Sequence, residues 1–156
     1  MADSVIVETE LVSAANRDGA HRLVVGAIVA QEGRVLLLKR RSDDFMGGIY
    51  ELPSGKVEAE ETLVQALSRE VVEETGLEVE NVKGLVDSFD YQSSRDELTR
   101  QFNFKVSLQT PSELEREVGL SEHEAFCWAG PTDLDRLPMT ESTRGTVKRY
   151  FNGSGN

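Results

Sequence analysis

The sequence predicts an α/β fold, on three observations. Two short apolar runs, 23–30 and 35–38, are rich in Val, Leu and Ile and have the length of buried strands. Residues 62–75 lack Gly and Pro and carry both start and stop signals of a helix. Strand-like segments at 77–89, 98–108 and 125–129 follow, so strands and helices interleave along one chain. At 156 residues the chain has the size of one domain, read as 1–151 with a flexible tail at 152–156.

Residues 5–11 alternate loosely and predict a first strand, able to pair within the sheet or across a homodimer. Asn16-Arg17-Asp18-Gly19 is a turn signal before the 23–30 strand. Glu32-Gly33 turns the chain into the next strand, which ends in the basic cluster Lys39, Arg40 and Arg41. Gly47-Gly48 permits a sharp bend before a short strand at 49–52, closed by Pro53-Ser54-Gly55. Thr62 and Gln65 match a capping box, and Gly76 stands where a helix C-terminal cap belongs. Residues 131–137 and 141–151 predict helices, and the Ser/Glu-rich stretch 110–124 a loop or partly helical excursion. The ending Asn152-Gly153-Ser154-Gly155-Asn156 predicts fraying.

Seventeen Lys and Arg against 28 Asp and Glu give a net charge of −11, which argues against a broad basic surface for duplex nucleic acid or anionic membrane. Acidic small molecules remain open, because a bound cation reverses the local sign. The single cysteine, Cys127, forms no intrachain disulfide, and no Cys/His cluster has zinc-site spacing. The first ten residues have no positive region of a signal peptide, and the run 23–30 is too short to span a bilayer. These features lead to the expectation of a soluble, cytoplasmic protein.

The charge is concentrated. Residues 55–80 hold eight acids against Lys56 and Arg69. At about 100° per residue, Glu70, Glu73 and Glu74 spread over one arc of the helix and border the apolar stripe of Leu63, Val64, Leu67 and Val71. Like charges at three- and four-residue spacing weaken an isolated helix by about 0.2–0.5 kcal/mol per pair. On charge pattern alone a solvated acidic face is the more ordinary explanation. Three carboxylates at one site also suit a hard divalent cation such as Mg²⁺, which takes oxygen ligands and bridges them to phosphates.

The surrounding residues decide between these. Gly55 is followed after five residues by Glu61, after seven more by Arg69-Glu70, then by Val71-Val72-Glu73-Glu74-Thr75-Gly76-Leu77. This resembles the Nudix box, Gly-x5-Glu-x7-Arg-Glu-U-x-Glu-Glu-x-Gly-U with U aliphatic, at every specified position. Gly48-Ile49-Tyr50-Glu51-Leu52-Pro53 is similar to the segment that precedes the box. The resemblance implies an α/β/α sandwich around a mixed sheet. It also implies hydrolysis of a nucleoside diphosphate linked to another group, with Mg²⁺ or Mn²⁺ as cofactor. Glu70, Glu73 and Glu74 match the family's metal-binding glutamates, and Glu70 is the first choice to help activate water. Arg69 and Glu61 are implied to pair and orient the carboxylates, and the Ser54 carbonyl is a further candidate metal ligand. Ser54 departs from the Pro-Gly-Gly turn of many relatives, a change that a carbonyl ligand survives.

Outside the box, Glu122 is the candidate for an added acid from a later loop, with Glu124 second. An exposed loop acid fits the sequence equally well. His123 reads more simply as a surface histidine than as a phosphate or proton-transfer group. Arg40 and Arg41 are candidate phosphate contacts, since guanidinium binds phosphate oxygens bidentately. Tyr50 is a candidate pocket wall, and Phe45, Phe89 or Tyr91 could stack on a base, although any one aromatic is more often packing. Cys127 and Trp128 read as parts of a buried strand. The proline that ADP-ribose-cleaving relatives carry beyond the box is missing at Gln92-Ser93, so a nucleoside triphosphate leads the substrate classes. The alternatives are a nucleotide-binding sensor without turnover and a Nudix-fold isoprenoid diphosphate isomerase. The expected partner is a small nucleotide or polyphosphate.

Overall fold

Two strands that are apolar at nearly every position need cover on both faces, and this requirement organises the fold. The computed structural model describes residues 2–109 and 118–153, with side chains from residue 8 onward. Strand β1 spans Arg22–Gln31 and β2 spans Arg34–Arg40. Val25, Ala27 and Val29 of β1 join Leu36 and Leu38 of β2 in one core cluster, while Ile28, Val35 and Leu37 enter a second. Helices α1 (Ala2–Arg17) and α2 (Leu63–Thr75) cover the first face through Ala15, Leu63, Ala66, Leu67 and Val71. Helix α3 (Glu141–Gly153) covers the second through Val147, beside Leu134 and Met139. The result is the predicted α/β/α sandwich around a mixed sheet.

The other strands are β3 (Tyr50–Glu51), β4 (Ser54–Lys56), β5 (Val79–Gln92), β6 (Leu98–Leu108) and β7 (His123–Ala129). The main order is β3-β2-β1-β6-β5, with β4 added to β1 and β7 to β2. β1 runs parallel to β6, from Arg22 opposite Thr99 to Val29 opposite Val106, and the remaining pairs are antiparallel. β1 and β2 pair only at their hairpin end, Ala30 with Val35 and Gln31 with Arg34. Beyond it they part, and β4 pairs with β1 from Val24 to Gly26. This split admits the chain leading into α2 at the middle of the sheet.

Several sequence expectations need correction. Residues 5–11 form no strand but lie in α1. Among its described side chains, the apolar ones that reach the core are Leu11, Val12 and Ala15, a three-to-four-residue spacing that fits a helix and not an alternating strand. The Asn16–Gly19 signal therefore ends a helix, with Gly19 at φ 84°. Of Pro53-Ser54-Gly55, expected to close a strand, Ser54 and Gly55 instead join Lys56 in β4 through pairing with a distant segment. Within 131–137 only Pro131–Asp133 is helical, as a 3₁₀ turn, and Asn152 and Gly153 continue α3 instead of fraying. Of the 110–124 excursion, 110–117 lies outside the described residues, as does 154–156.

A buried polar layer locks α3 to the sheet. Asn103 and Thr146 are fully buried. Asn103 Nδ2 donates to Asp87 Oδ1 at 3.0 Å, Thr146 Oγ1 lies 3.0 Å from both Asp87 oxygens, and Gln101 Nε2 donates to Asn103 Oδ1 at 2.9 Å. Gly26 faces this layer, and a Cβ there would stand 2.8 Å from Gln101 Nε2. Thr146→Val preserves shape but deprives Asp87 of a donor in a buried setting, so it should cost about 1–3 kcal/mol of unfolding free energy. Urea denaturation checks this through a lowered midpoint at unchanged slope.

Candidate functional site

The site is built on the C-terminal half of α2, whose two ends are fixed by local chemistry. Thr62 accepts from the Gln65 amide and the Gln65 side chain accepts from the Thr62 amide, completing the predicted capping box. Gly76 ends the helix at φ 74°, its amide bonded to the Val72 carbonyl. Between these ends the helix lies directly against β4. A Cβ on Gly55 would overlap the carboxylate of Glu70, so the motif glycine is required by close approach. One turn on, Glu74 Oε1 accepts the Ser54 amide at 2.8 Å.

Arg69 binds the acids together. Its Nε and Nη2 donate to both oxygens of Glu61 at 2.6 and 2.8 Å, and Nη2 also reaches the Lys56 carbonyl at 3.1 Å. Nη1 donates to Glu70 Oε2 at 3.1 Å and Glu73 Oε2 at 3.2 Å. The fork geometry of guanidinium makes this division possible. The three acids differ in setting: the Glu73 side chain is 55% exposed, Glu70 is 14% exposed, and Glu74 is buried.

The titration behaviour follows from these settings. The Arg69 hydrogen bonds, then the Glu58 amide, hold the Glu61 carboxyl down at about 2. Burial pushes Glu74 up to about 8, outweighing the Ser54 amide, and the charges of Glu70, Glu51 and Glu122 push the same way. Burial also raises Glu70, against the pull of Arg69, with Glu73 and Glu122 adding to the rise. A buried acid held near 8 by desolvation and like charge is a group that a bound cation would relieve.

Glu122 is exposed, yet its charge reaches both Glu70 and Glu74. Its loop is tied to α2 by Ser121 Oγ donating to the Glu73 carbonyl at 2.8 Å and by the Gly119 amide on the Thr75 carbonyl at 2.9 Å. Glu124 turns elsewhere, accepting the Ser42 amide at 2.9 Å and pairing with Lys39 at 3.4 Å. His123 is not a surface histidine: its side chain is 5% exposed and its Nε2 lies 2.8 Å from Glu51 Oε2. The sequence did not single out Glu51, which holds His123 and Arg40 and raises Glu74; its position in the segment before the box was the available signal.

The candidate substrate residues separate. Arg40 lines a cleft of about 530 Å³, with its Nε on the Phe45 carbonyl at 2.7 Å and its two terminal nitrogens paired with Glu51 and Asp44. Arg41 is more than half exposed and pairs with Asp43 at 3.6 Å. Tyr50 packs on the second core cluster and is not among the residues lining the cleft. Phe89 and Tyr91, with ring centroids 6.0 Å apart, form part of the cleft wall, and Phe45 at 63% exposure stands at its rim. Glu51 lines the same cleft and so joins it to the acid cluster. Cys127 pairs opposite Leu37 and packs on the second core, its thiol raised by burial.

The donor set fits a hard divalent ion, since Glu70, Glu73 and Glu74 offer only carboxylate oxygens. Among the described residues no three His, Cys, Asp or Glu side chains already stand gathered for an ion. Arg69 draws Glu70 and Glu73 to its own guanidinium, so ion binding would require these two to turn from it. No helix among the described residues is long and apolar enough to cross a membrane.

Comparison with known proteins places this geometry in context. The sequence model of the NUDIX domain matches residues 20–150. A putative 8-oxo-dGTP diphosphatase 2 from Mycobacterium tuberculosis is 31% identical over 137 residues, covering 86% of this chain and 93% of that one. An octanoyltransferase from Myxococcus xanthus is 39% identical over 126 residues, 76% of this chain, but the match spans only 32% of that protein. The crystal structure of a MutT NUDIX hydrolase from Burkholderia pseudomallei superposes with a TM-score of 0.65 at 29% identity, over 82% of this chain and 96% of that chain.

Two outcomes test the site. The nearest atoms a Cβ at Gly55 would meet all belong to the end of the Glu70 side chain, so Gly55→Ala should displace that carboxylate and lower divalent-ion affinity at a stability cost within about 1 kcal/mol. Thermal unfolding and Mn²⁺ titration by electron paramagnetic resonance read the two effects separately. The second concerns pH. Between about 4.5 and about 8 the unfolded chain has released the Glu74 proton and the folded chain has kept it. The folded state then binds more protons, so unfolding free energy falls as pH rises through that window. Melting in chelator should show this decline, and Glu74→Gln should flatten it.

Proposed function

The chain belongs to the Nudix domain family, and from that premise we propose that it is a divalent-metal-dependent hydrolase of phosphoanhydride bonds in nucleotides, with a nucleoside triphosphate as the leading substrate. The observation that carries the reading is Glu74, buried and pushed up to about 8 within reach of Glu70, Glu51 and Glu122. So much unneutralised acid at one helix end suits an ion that brings an anionic substrate. The 8-oxo-dGTP diphosphatase relative supports a nucleoside triphosphate as that substrate.

When bound, Mg²⁺ or Mn²⁺ would screen the phosphates and lower the pKa of a coordinated water. Glu70, Glu73 and Glu74, with the Ser54 carbonyl, would hold the ion. Glu70, with Glu122 close enough for its charge to act on it, would take a proton from the attacking water. Arg69, fixed by Glu61, holds Glu70 and Glu73 beside each other until an ion takes their oxygens. Arg40 orders Glu51 and the loop carrying Phe45, and Arg41 is the more exposed guanidinium able to meet outer phosphate oxygens. Tyr50 supports β3 from the second core, one residue from Glu51. The base would lie in the cleft between Phe45 and the Phe89–Tyr91 wall.

A panel of nucleoside triphosphates, oxidised nucleotides, nucleotide sugars and dinucleoside polyphosphates, with products weighed by mass spectrometry, tests the proposal. Nucleoside monophosphate plus pyrophosphate is the expected pair of products from a triphosphate. Metal-dependent binding with no product, or an isomer with its diphosphate intact, would overturn it. Glu73→Gln and Glu74→Gln should each nearly abolish turnover in folded protein. Glu61→Gln, which weakens only the hold on Arg69, should cost about 10–100-fold in activity or metal affinity.

A further inference from the structure

The first three amides of α2 all have side-chain acceptors, and one acceptor outside the matched span, Glu8, serves two of them. Thr62 Oγ1 accepts the Gln65 amide at 3.0 Å. Glu8 Oε1 accepts the Leu63 amide at 2.7 Å and the Val64 amide at 3.4 Å. Glu8 belongs to α1, which precedes the matched span 20–150. Helix amides at these positions have no partner within the helix, and a carboxylate there also meets the positive end of the helix dipole.

α1 is anchored well enough to transmit this contact. Ala15 is fully buried, Leu11 and Val12 pack on the first core cluster, and just past the helix end Asp18 pairs with Arg100 at 3.0 Å. At its far end α2 is tied by Ser121 to the Glu73 carbonyl and by Gly119 to the Thr75 carbonyl. In between, the Glu70 carboxylate packs directly on Gly55 of β4. A helix moves as a stiff rod, so a shift of its first turn reaches Glu70 two turns later, and sites of this kind lose function on displacements of about 1 Å.

We propose that Glu8 is a positioning residue for the α2 carboxylates: by holding the Leu63 and Val64 amides it sets where Glu70, Glu73 and Glu74 stand against β4. The inference rests on the metal-dependent reading of the acidic face. It makes α1 a strap across the start of the acidic helix, and the site a joint product of the family domain and the segment before it.

The test is Mn²⁺ titration by electron paramagnetic resonance on the full chain, comparing wild type with Glu8→Ala, Glu8→Asp and Glu8→Gln. Asp135→Ala serves as control, since it breaks a pair with Lys148 that does not involve α2. Glu8→Ala should weaken Mn²⁺ binding by about 3–10-fold, less than loss of a direct partner of a ligand. Glu8→Asp keeps the charge but shortens the reach and should behave like Ala. Glu8→Gln keeps an acceptor oxygen and should recover most of the affinity. Amide exchange at Leu63 and Val64 should quicken in the first two variants, and kcat should fall with KM for nucleotide unchanged at saturating Mn²⁺. Faster exchange with Mn²⁺ affinity as in wild type would reduce Glu8 to a helix cap and overturn the proposal. Should Glu8→Ala fail to fold, wild-type affinity in Glu8→Asp would overturn it equally. If wild type binds Mn²⁺ but hydrolyses no nucleotide, the functional reading fails and the titration still decides Glu8. Wild type that binds no Mn²⁺ would overturn both.

Discussion

The acidic face depends on how one guanidinium is shared. Arg69 spends two nitrogens on Glu61 and the third on Glu70 and Glu73, while touching the Lys56 carbonyl at the end of β4. A lysine has the charge but not the planar fork, and could not serve a strand, a loop acid and two helix acids at once. The spacing from Gly55 through Glu61 to Arg69 is therefore a geometric statement. Glycine lets Glu70 approach, the connecting loop turns back, and Glu61 meets the arginine that projects beside Glu70.

Partnering also separates acids that are chemically alike. Glu61 and Glu74 lie within one short motif, yet one is held down at about 2 and the other is pushed up to about 8. Glu61 has a cation on both oxygens, and hydrogen bonding to the charged form wins. Glu74 has a single amide from Ser54, and burial wins over it. The loop before α2 and the helix itself thus carry an orienting ion pair that favours the charged carboxylate and a buried carboxyl that favours the neutral form.

What could be read in advance was what is local in sequence. The capping box of Thr62 and Gln65, the stop at Gly76 and the motif from Gly55 to Leu77 lie within one stretch, and their spacing alone indicates a helix with an acidic side. Contacts between distant segments left weaker traces. β4 exists because Ser54–Lys56 meets Val24–Gly26 across the split between β1 and β2, and three residues carry no strand pattern by themselves. His123 looked exposed beside Glu122 and Glu124, but strand pairing sets it opposite Arg40 while β3 brings Glu51 alongside. Residues 5–11 misled because a loose alternation over so few positions is shared by strands and amphipathic helices, and the deciding residue, Ala15, lies beyond them.

The parallel pairing of β1 with β6 sets the order in which the molecule can assemble. Arg22 and Thr99, which share a hydrogen bond, are 77 residues apart, and β4, α2 and β5 all lie in the loop that this pairing closes. Loop closure on that scale precedes the contacts that reward it, and topologies of this kind fold slowly. During synthesis the acidic helix leaves the ribosome well before the strand that completes the centre of the sheet. Its carboxylates acquire the burial that distinguishes Glu74 only through tertiary packing, so the unusual acid is a property of the assembled fold and not of the helix.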